Sequence, residues 1–430
     1  MISTPDRSSG LLRCEIKGLL NNAQAYRLYV DSEAMILNLL RQTPRRSIWS
    51  YHQILEFAGG SPSRIWGGQY APLDSMKRRA RLPLPPYLFV SRVTGIKAEL
   101  GSFQPSYIDM EYDITDDCMM MLSNSTISSA LMIEASHVAI MLFSYMGIDL
   151  VYDQEITYRI LDVNTIVHRD LPVKGETFQG RLEFSELVKS GAITLVKTKF
   201  FCYSRNELVL TIDLLGGFFT ENDLAANKGI QAGNISLASL PKPNQGQTKL
   251  RRDQISDMRA FSDGDYGPLL CPVSDSDQVE RFFVHPLLRM LDRLVDLDYS
   301  GGRYGLGKAV VEKDIDENFW AFKAHFLNDP VFPGCLHIAA FEQMQILFAL
   351  NAGYVDYGKY RLSSSLDKVF KCIFRGQVKP ITSTIRYVQQ LKEITKTDSG
   401  VILVSDFEVF WQGYLVSKGS DFTLVVEELD

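Results

Sequence analysis

A recurrence along the chain constrains its fold more than any other feature. Pro172-Val173-Lys174-Gly175-Glu176-Thr177 opens a strand-like run ending Arg181-Leu182-Glu183-Phe184. Gln377-Val378-Lys379-Pro380-Ile381-Thr382 opens another containing Ile385-Arg386-Tyr387-Val388, and Val378 follows Val173 by 205 residues. The same offset carries the apolar segment 130–148 onto 335–353. Near the start of each half, Ser91-Arg92-Val93 and Asp292-Arg293-Leu294 match at an offset of 201, so a small insertion separates them. In a chain of 430 residues this reads as a duplicated α+β unit, one helix followed by several antiparallel strands, twice. A curved antiparallel sheet offers one continuous apolar face on which such a helix is buried. Two of these units pair naturally as a pseudo-dimer.

Neither apolar helix reads as a membrane span. Segment 130–148 contains Glu134 and His137; segment 335–349 contains His337, Glu342, Gln343 and Gln345. A lipid-facing helix rarely tolerates that many polar groups. The chain carries 45 basic and 51 acidic residues, a net charge of −6, which gives no support for nucleic-acid binding. Its 46% apolar and 22% charged content exclude whole-chain disorder. Cys14, Cys118, Cys202, Cys271, Cys335 and Cys372 form no CxxC pair, and the six histidines form no HExxH or HxH cluster. The expectation is therefore no disulfide framework and no metal. The N-terminus has Asp6 and Arg7 and no signal-peptide core, so the expectation is a cytoplasmic protein. The start at Met1 reads as a discrete polypeptide.

The organisation expected is an N-terminal extension over 1–80, a first unit over 81–240, a linker over 241–250 and a second unit over 251–430. Tyr26–Leu40 has helical periodicity, and Gly59–Gly68 reads as a loop. Pro83, Pro85 and Pro86 forbid a regular helix there. Strand-like runs follow at Tyr87–Ile96, Phe178–Phe184, Thr194–Tyr203 and Leu208–Leu215, and in the second half at Leu287–Asp298 and Lys308–Glu312. Gly301–Gly307 is a hairpin-type turn, not a phosphate loop, since it lacks Lys-Ser/Thr and no helix follows.

The densest candidate for chemistry is Trp320-Ala-Phe-Lys-Ala-His325-Phe-Leu-Asn-Asp329-Pro330-Val-Phe-Pro333-Gly334-Cys335-Leu336. A histidine ends an aromatic strand, a rigid Pro/Gly loop follows, and a helix begins near Cys335. The first N–H groups of a helix have no intrahelical partner and favour developing negative charge. His325 beside them has an ordinary pKa near neutrality, as a general base requires. Read alone, a lone histidine more often just holds a loop.

The run His325-Phe326-x-x-Asp329-Pro330-Val331-x-Pro333-Gly334-Cys335-Leu336 resembles the active-site motif of 3-hydroxyacyl-ACP dehydratases of the hotdog fold. From roughly residue 50 onward, the chain is similar to the dehydratase region of bacterial polyunsaturated fatty acid synthases. Arg78-Arg79-Ala80-Arg81-Leu82-Pro83, Pro86-Tyr87-Leu88, Tyr158-Arg159-Ile160-Leu161-Asp162 and Gly216-Gly217-Phe218-Phe219 carry this similarity. The resemblance implies a double hotdog that removes water from a 3-hydroxyacyl thioester to give the trans-2-enoyl product. It implies no cofactor beyond the phosphopantetheine of an acyl carrier protein. Other synthase subunits are implied partners, and a homodimer of the double hotdog is left open.

In that family a histidine works with a carboxylate from the partner unit. The carboxylate position after His325 falls on Ala339, and the offset of 205 sends Ala339 to Glu134 and His325 to Met120. The resemblance thus implies one composite site, His325 with Glu134, and one dead site, Met120 with Ala339. Gly334 and Cys335 would supply oxyanion N–H groups, and Phe326, Val331, Phe332 and Pro333 would line the acyl tunnel. Glu342 is a competing acid, three residues past Ala339. Lys77, Arg78, Arg79 and Arg81 are candidates for docking the acidic carrier protein, against the plainer reading of internal ties or a solvated face. The chain departs from the family where Val138 stands in place of a glutamine, and where Ser123–Ser129 replaces a Pro-Gly loop; His337 is also unusual. The rival readings are a non-catalytic hotdog scaffold, a thioesterase and a double-bond isomerase.

Overall fold

The computed structural model describes residues 47–121, 127–152, 154–190, 193–231, 285–355, 360–364 and 366–428. The expected helix at Tyr26–Leu40, the linker 241–250 and most of the Ser123–Ser129 loop lie outside the described residues.

Three short helices come first: α1 (Tyr51–Gly59), α2 (Ser63–Trp66) and α3 (Ala71–Ser75). The first unit then runs β1 (Arg92–Glu99), β2 (Ser102–Asp113), α4 (Ser129–Ala135), α5 (Val138–Tyr145), β3 (Ile156–Val167), β4 (Thr177–Ser190), β5 (Ile193–Ser204) and β6 (Glu207–Thr220). Helix α6 (Glu221–Ala226) and the two-residue β7 (Ile230–Gln231) close it. The second unit runs β8 (Arg293–Asp298), β9 (Lys308–Ile315), α7 (Trp320–Ala324), α8 (Gly334–Asn351), β10 (Tyr360–Ser364), β11 (Val369–Phe374), β12 (Ser383–Thr397), β13 (Gly400–Trp411) and β14 (Tyr414–Glu428).

The duplication is written into the sheet. Its strand order is β1-β2-β4-β5-β6-β3-β11-β14-β13-β12-β9-β8, with β7 and β10 also on β14. Read from either edge, the order is the same once each strand is replaced by its counterpart. Even the irregularities repeat: the β1–β2 pairing skips between Val93 and Gly95, and the β8–β9 pairing between Leu294 and Asp296. The β4–β5 pairing skips between Phe184 and Glu186, and the β12–β13 pairing between Leu391 and Glu393. Bulges of this kind bend and twist a sheet, here around a helix in each unit. The units meet edge to edge where β3 pairs with β11, Val369 opposite Ile166 through Ile373 opposite Asp162. The architecture is a double hotdog.

Helix α8 is buried on every face from Cys335 to Leu350, as an all-round apolar helix must be. Its polar side chains are satisfied inside the protein. Gln343 donates to the Leu288 carbonyl and accepts from the Met290 N–H; Gln345 donates to the Leu403 and Phe422 carbonyls; Tyr387 pairs with His337. Sheet and helix approach closely at Gly419, where a Cβ would meet the Phe341 ring at 2.8 Å. No helix among the described residues is long and apolar enough to cross a membrane.

Four local expectations are corrected. The aromatic segment before His325 is the short helix α7, because Phe319, Trp320 and Phe322 turn inward together, with Phe319 and Phe322 both against Phe332. Segment 130–148 is two helices, broken at Ser136–His137. There the Ser136 hydroxyl donates to the Ile133 carbonyl at 2.5 Å, and His137 Nδ1 lies 3.0 Å from the Glu134 carbonyl. Such side-chain bonds compete with the helix ladder. Strand β1 begins only at Arg92 and β8 at Arg293, because turns occupy Leu84–Tyr87 and Pro286–Leu288. Within the Gly59–Gly68 loop, Ser63–Trp66 closes a helical turn.

Candidate active site

His325 caps the end of α7 and is fixed by its own loop. Its Nδ1 donates to the Val331 carbonyl at 3.0 Å, while the Val331 N–H donates to the His325 carbonyl at 2.9 Å. That tautomer leaves Nε2 as a lone pair. Asp329 braces the same loop against the other unit. It accepts from Arg78 at 2.6 Å and Thr157 at 2.5 Å, and Arg159 stands 2.7 Å away. Burial alone would raise the Asp329 pKa; Arg159, Thr157 and Arg78 overcome it and hold the carboxyl well below the usual range.

His325 Nε2 faces Glu134 Oε1 at 3.8 Å, across the two units. The residues are only 5% and 3% exposed. Both Glu134 oxygens, His325 Nε2 and the Tyr87 hydroxyl are buried without a hydrogen-bond partner. Each such atom costs about 1–3 kcal/mol of desolvation, so four at one point mark a place built for something other than stability. Burial pushes the Glu134 pKa up, opposed by His137, Cys335 and Tyr87. Burial, helped by His137, pushes the His325 pKa well below its ordinary value. Burial thus biases Glu134 toward its protonated form and His325 toward its neutral form.

Gly334 starts α8 behind Pro333, which offers no side-chain cap. A Cβ at Gly334 would meet the Phe374 ring at 2.7 Å, so only glycine lets the helix start so close to that wall. A cavity of about 360 Å³ opens over this end, lined by His325, Phe326, Val331, Phe332, Gly334 and Cys335 among others. Pro333, expected in the acyl tunnel, does not line the cavity and instead holds the N-cap position of α8. His337 lines it, stacked on Phe332 and held neutral by burial, which pushes its pKa down to about 3. Glu134 does not line it; His137 does, standing 3.2 Å from Glu134 Oε1 through Nδ1. The Glu134 carboxyl thus sits behind the wall that the His325 imidazole lines.

At the positions expected to form a dead site, neither residue has a titratable side chain. Met120 and Ala339 are both buried, and Glu342 is drawn away from the His325 site. Its carboxylate accepts from the Ser128 hydroxyl at 2.5 Å, the Ser129 hydroxyl at 2.8 Å and the Ser129 N–H at 2.9 Å. The basic run is also corrected. Arg79 is 2% exposed and donates to the Phe57, Gly60 and Ala80 carbonyls; Arg81 is buried on the Ala58 carbonyl. Arg78 is committed to Asp329 and Glu221, which leaves Lys77 exposed. Three of the four cations organise the interior.

Two residues escaped the sequence reading. Tyr87 packs edge-on to His325 at 5.8 Å. His137 follows Glu134 by three residues, the spacing of helical neighbours, and that spacing was the available signal. Glu134, His137 and His325 are the group among the described residues able to hold a metal ion, their ligand atoms within 4.8 Å of one another. Spacing along the chain hides it, because its members come from both halves.

Residues 283–420 match the family described as the FabA-like domain. The chain is 28% identical over 364 residues to a polyunsaturated fatty acid synthase polypeptide of Thraustochytrium sp., covering 81% of this chain and 24% of that protein. It therefore spans about a quarter of the length of that curated relative. Among solved structures, the dehydratase domain of RzxB from Pseudomonas fluorescens is 9% identical with a TM-score of 0.39, covering 77% of this chain and 97% of that one. The 12:0-ACP thioesterase from Umbellularia californica is 11% identical with a TM-score of 0.39, covering 75% and 94%.

Proposed function

We propose that the chain is a dehydratase acting on a 3-hydroxyacyl thioester carried by the phosphopantetheine of an acyl carrier protein. One observation carries this reading: His325 Nε2 and Glu134 Oε1 face each other at 3.8 Å, both buried and neither hydrogen-bonded. The FabA-like match over 283–420 supports it, since that stretch contains the whole His325–Cys335 motif.

The neutral imidazole of His325 removes the α-proton through Nε2, and Val331 steadies the resulting imidazolium through Nδ1–H. Negative charge moves to the thioester oxygen. The N–H groups of Gly334 and Cys335, first in α8 and carried by residues that line the cavity, receive it. Glu134 donates its proton to the departing 3-hydroxyl, which leaves as water. Because Glu134 lies deeper than the cavity wall, the hydroxyl must enter between His137 and His325 to reach it. A thioesterase is less well served, since activating water calls for an ionised carboxylate and burial here favours the protonated one.

The test is dehydration and the reverse hydration of carrier-bound substrate, followed by mass spectrometry. His325→Ala and Glu134→Ala are each expected to lower turnover by at least about 100-fold. Glu342→Ala is expected to keep the activity of whatever fraction folds. Loss in Glu342→Ala with retention in Glu134→Ala would overturn the pairing. A folded wild type that turns over no chain length would overturn the enzyme reading in favour of a scaffold.

A further inference from the structure

We propose that Glu134, His137 and His325 also form a binding site for one divalent ion of the zinc class, and that the bound ion switches the site off. The inhibitory consequence rests on the functional reading above; the binding does not.

The donor geometry suits such an ion. His137 Nδ1 and His325 Nε2 lie 3.2 Å and 3.8 Å from Glu134 Oε1. Donors on a tetrahedral zinc with bonds of about 2.0–2.1 Å are separated by roughly 3.4 Å, and the three donor atoms here all lie within 4.8 Å of one another, so the imidazoles must draw in toward the carboxyl to close the set. Two imidazoles and a carboxylate select a zinc-like ion over magnesium or calcium, which prefer shells of oxygen. All three side chains are at least nine-tenths buried, and neither Glu134 oxygen nor His325 Nε2 makes a hydrogen bond of good geometry that an ion would have to break. The Nδ1–H of His325 on the Val331 carbonyl is the outer contact that metal-bound histidines usually have. Binding would move the His137 proton from Nδ1, where it faces the Glu134 carbonyl, to Nε2 and release any Glu134 proton to solvent, which frees both atoms for the ion. His137 and His325 line the cavity, which gives the ion a path in and leaves its fourth position facing the substrate space. The other half offers Met120, Ala339 and Glu342 at the corresponding positions, so the stoichiometry is one ion per chain. A bound ion occupies the lone pair and the carboxyl that the elimination uses.

The experiment uses the full chain, freed of metal by a chelator that is then removed. Cobalt(II) is titrated and its visible d–d absorption recorded. The expected result is tetrahedral-type absorption saturating at one equivalent and abolished by zinc. His137→Gln and His325→Gln should each weaken binding by at least about tenfold, with circular dichroism showing that both fold. His168→Gln, which alters a histidine beside Asp367 away from the cavity, should bind like wild type. One equivalent of zinc should stop wild-type dehydration, and chelator should restore it. Absence of the absorption, or its persistence in folded His137→Gln, would overturn the site. Zinc binding with undiminished turnover would overturn the inhibition. A chain that binds cobalt yet dehydrates nothing in chelator would overturn the functional reading and leave the ion site standing.

Discussion

The counterpart helices α8 and α4 begin differently, and the contrast bears on why a single composite site is proposed. Helix α8 starts at Pro333-Gly334-Cys335, uncapped by a side chain and open to a cavity of about 360 Å³. Helix α4 starts at Ser128-Ser129, where Ser128 caps the Ala130 N–H and the Glu342 carboxylate sits on the Ser129 N–H. The space left beside it is about 30 Å³. At the offset of 205, Ser129 corresponds to Gly334, Glu134 to Ala339 and His137 to Glu342. The chain's own carboxylate thus occupies, in the closed half, the place that a substrate oxygen is proposed to take in the open half. The closed site is an internal picture of anion binding at a helix start.

The comparison breaks most sharply if the closed site can be revived simply. In a His325→Ala background, Met120→His with Ala339→Glu should leave turnover about 100-fold or more below wild type, because Glu342 still fills the helix start. Recovery to within about tenfold in the dehydration assay would show that Glu342 is no plug. Next in size, Asp329→Asn strips Arg78 and Arg159 of a nearly buried counter-charge, and urea unfolding should show a loss of about 3 kcal/mol. Glu342→Ala leaves two serine hydroxyls and an N–H without their acceptor and should cost about 2 kcal/mol by the same measurement.

A pH series sharpens the picture further. Burial pushes the Glu342 pKa from 4.5 up to about 7, with the Ser128 and Ser129 hydrogen bonds opposing. Between those values the native state holds a proton that the unfolded chain releases. The contribution is therefore fully present below about pH 4.5 and lost as pH rises through about 7. Relative to Glu342→Gln, wild type should lose up to a few kcal/mol between pH 5 and pH 8, measured as the difference in urea midpoints. A flat difference would mean that the carboxylate is ionised throughout. The smallest expectation is Lys77→Ala, exposed and without a buried role, which should change stability by less than about 0.5 kcal/mol.

Much of this was legible because duplication leaves a regular trace. The offset near 205 located the second helix, and the motif around His325 located the histidine of the proposed pair; counting through Ala339 then led to Glu134 in the other half, which the structure places 3.8 Å away. Position along the chain cannot show which way a broken helix turns. The break at Ser136–His137 depends on two side-chain bonds to backbone carbonyls, and those bring His137 onto Glu134. Likewise, Arg79 and Arg81 read as a surface run because local sequence does not reveal that the carbonyls at the end of α1 would enclose them. Tyr87 sat in plain view after three prolines, but its nearness to His325 depends on the Leu84 N–H donating to the Ala324 carbonyl across the units at 2.8 Å.

The β3–β11 seam has a consequence for how such a protein ages in evolution and behaves in a test tube. Two separate polypeptides sharing a site must find each other, and their catalysis fades on dilution. Here both sides of the seam belong to one polypeptide, so each half is always present at a high local concentration for the other. Specific activity should stay constant as the protein is diluted. Freed from serving as its own mirror image, each half could discard a different member of the pair.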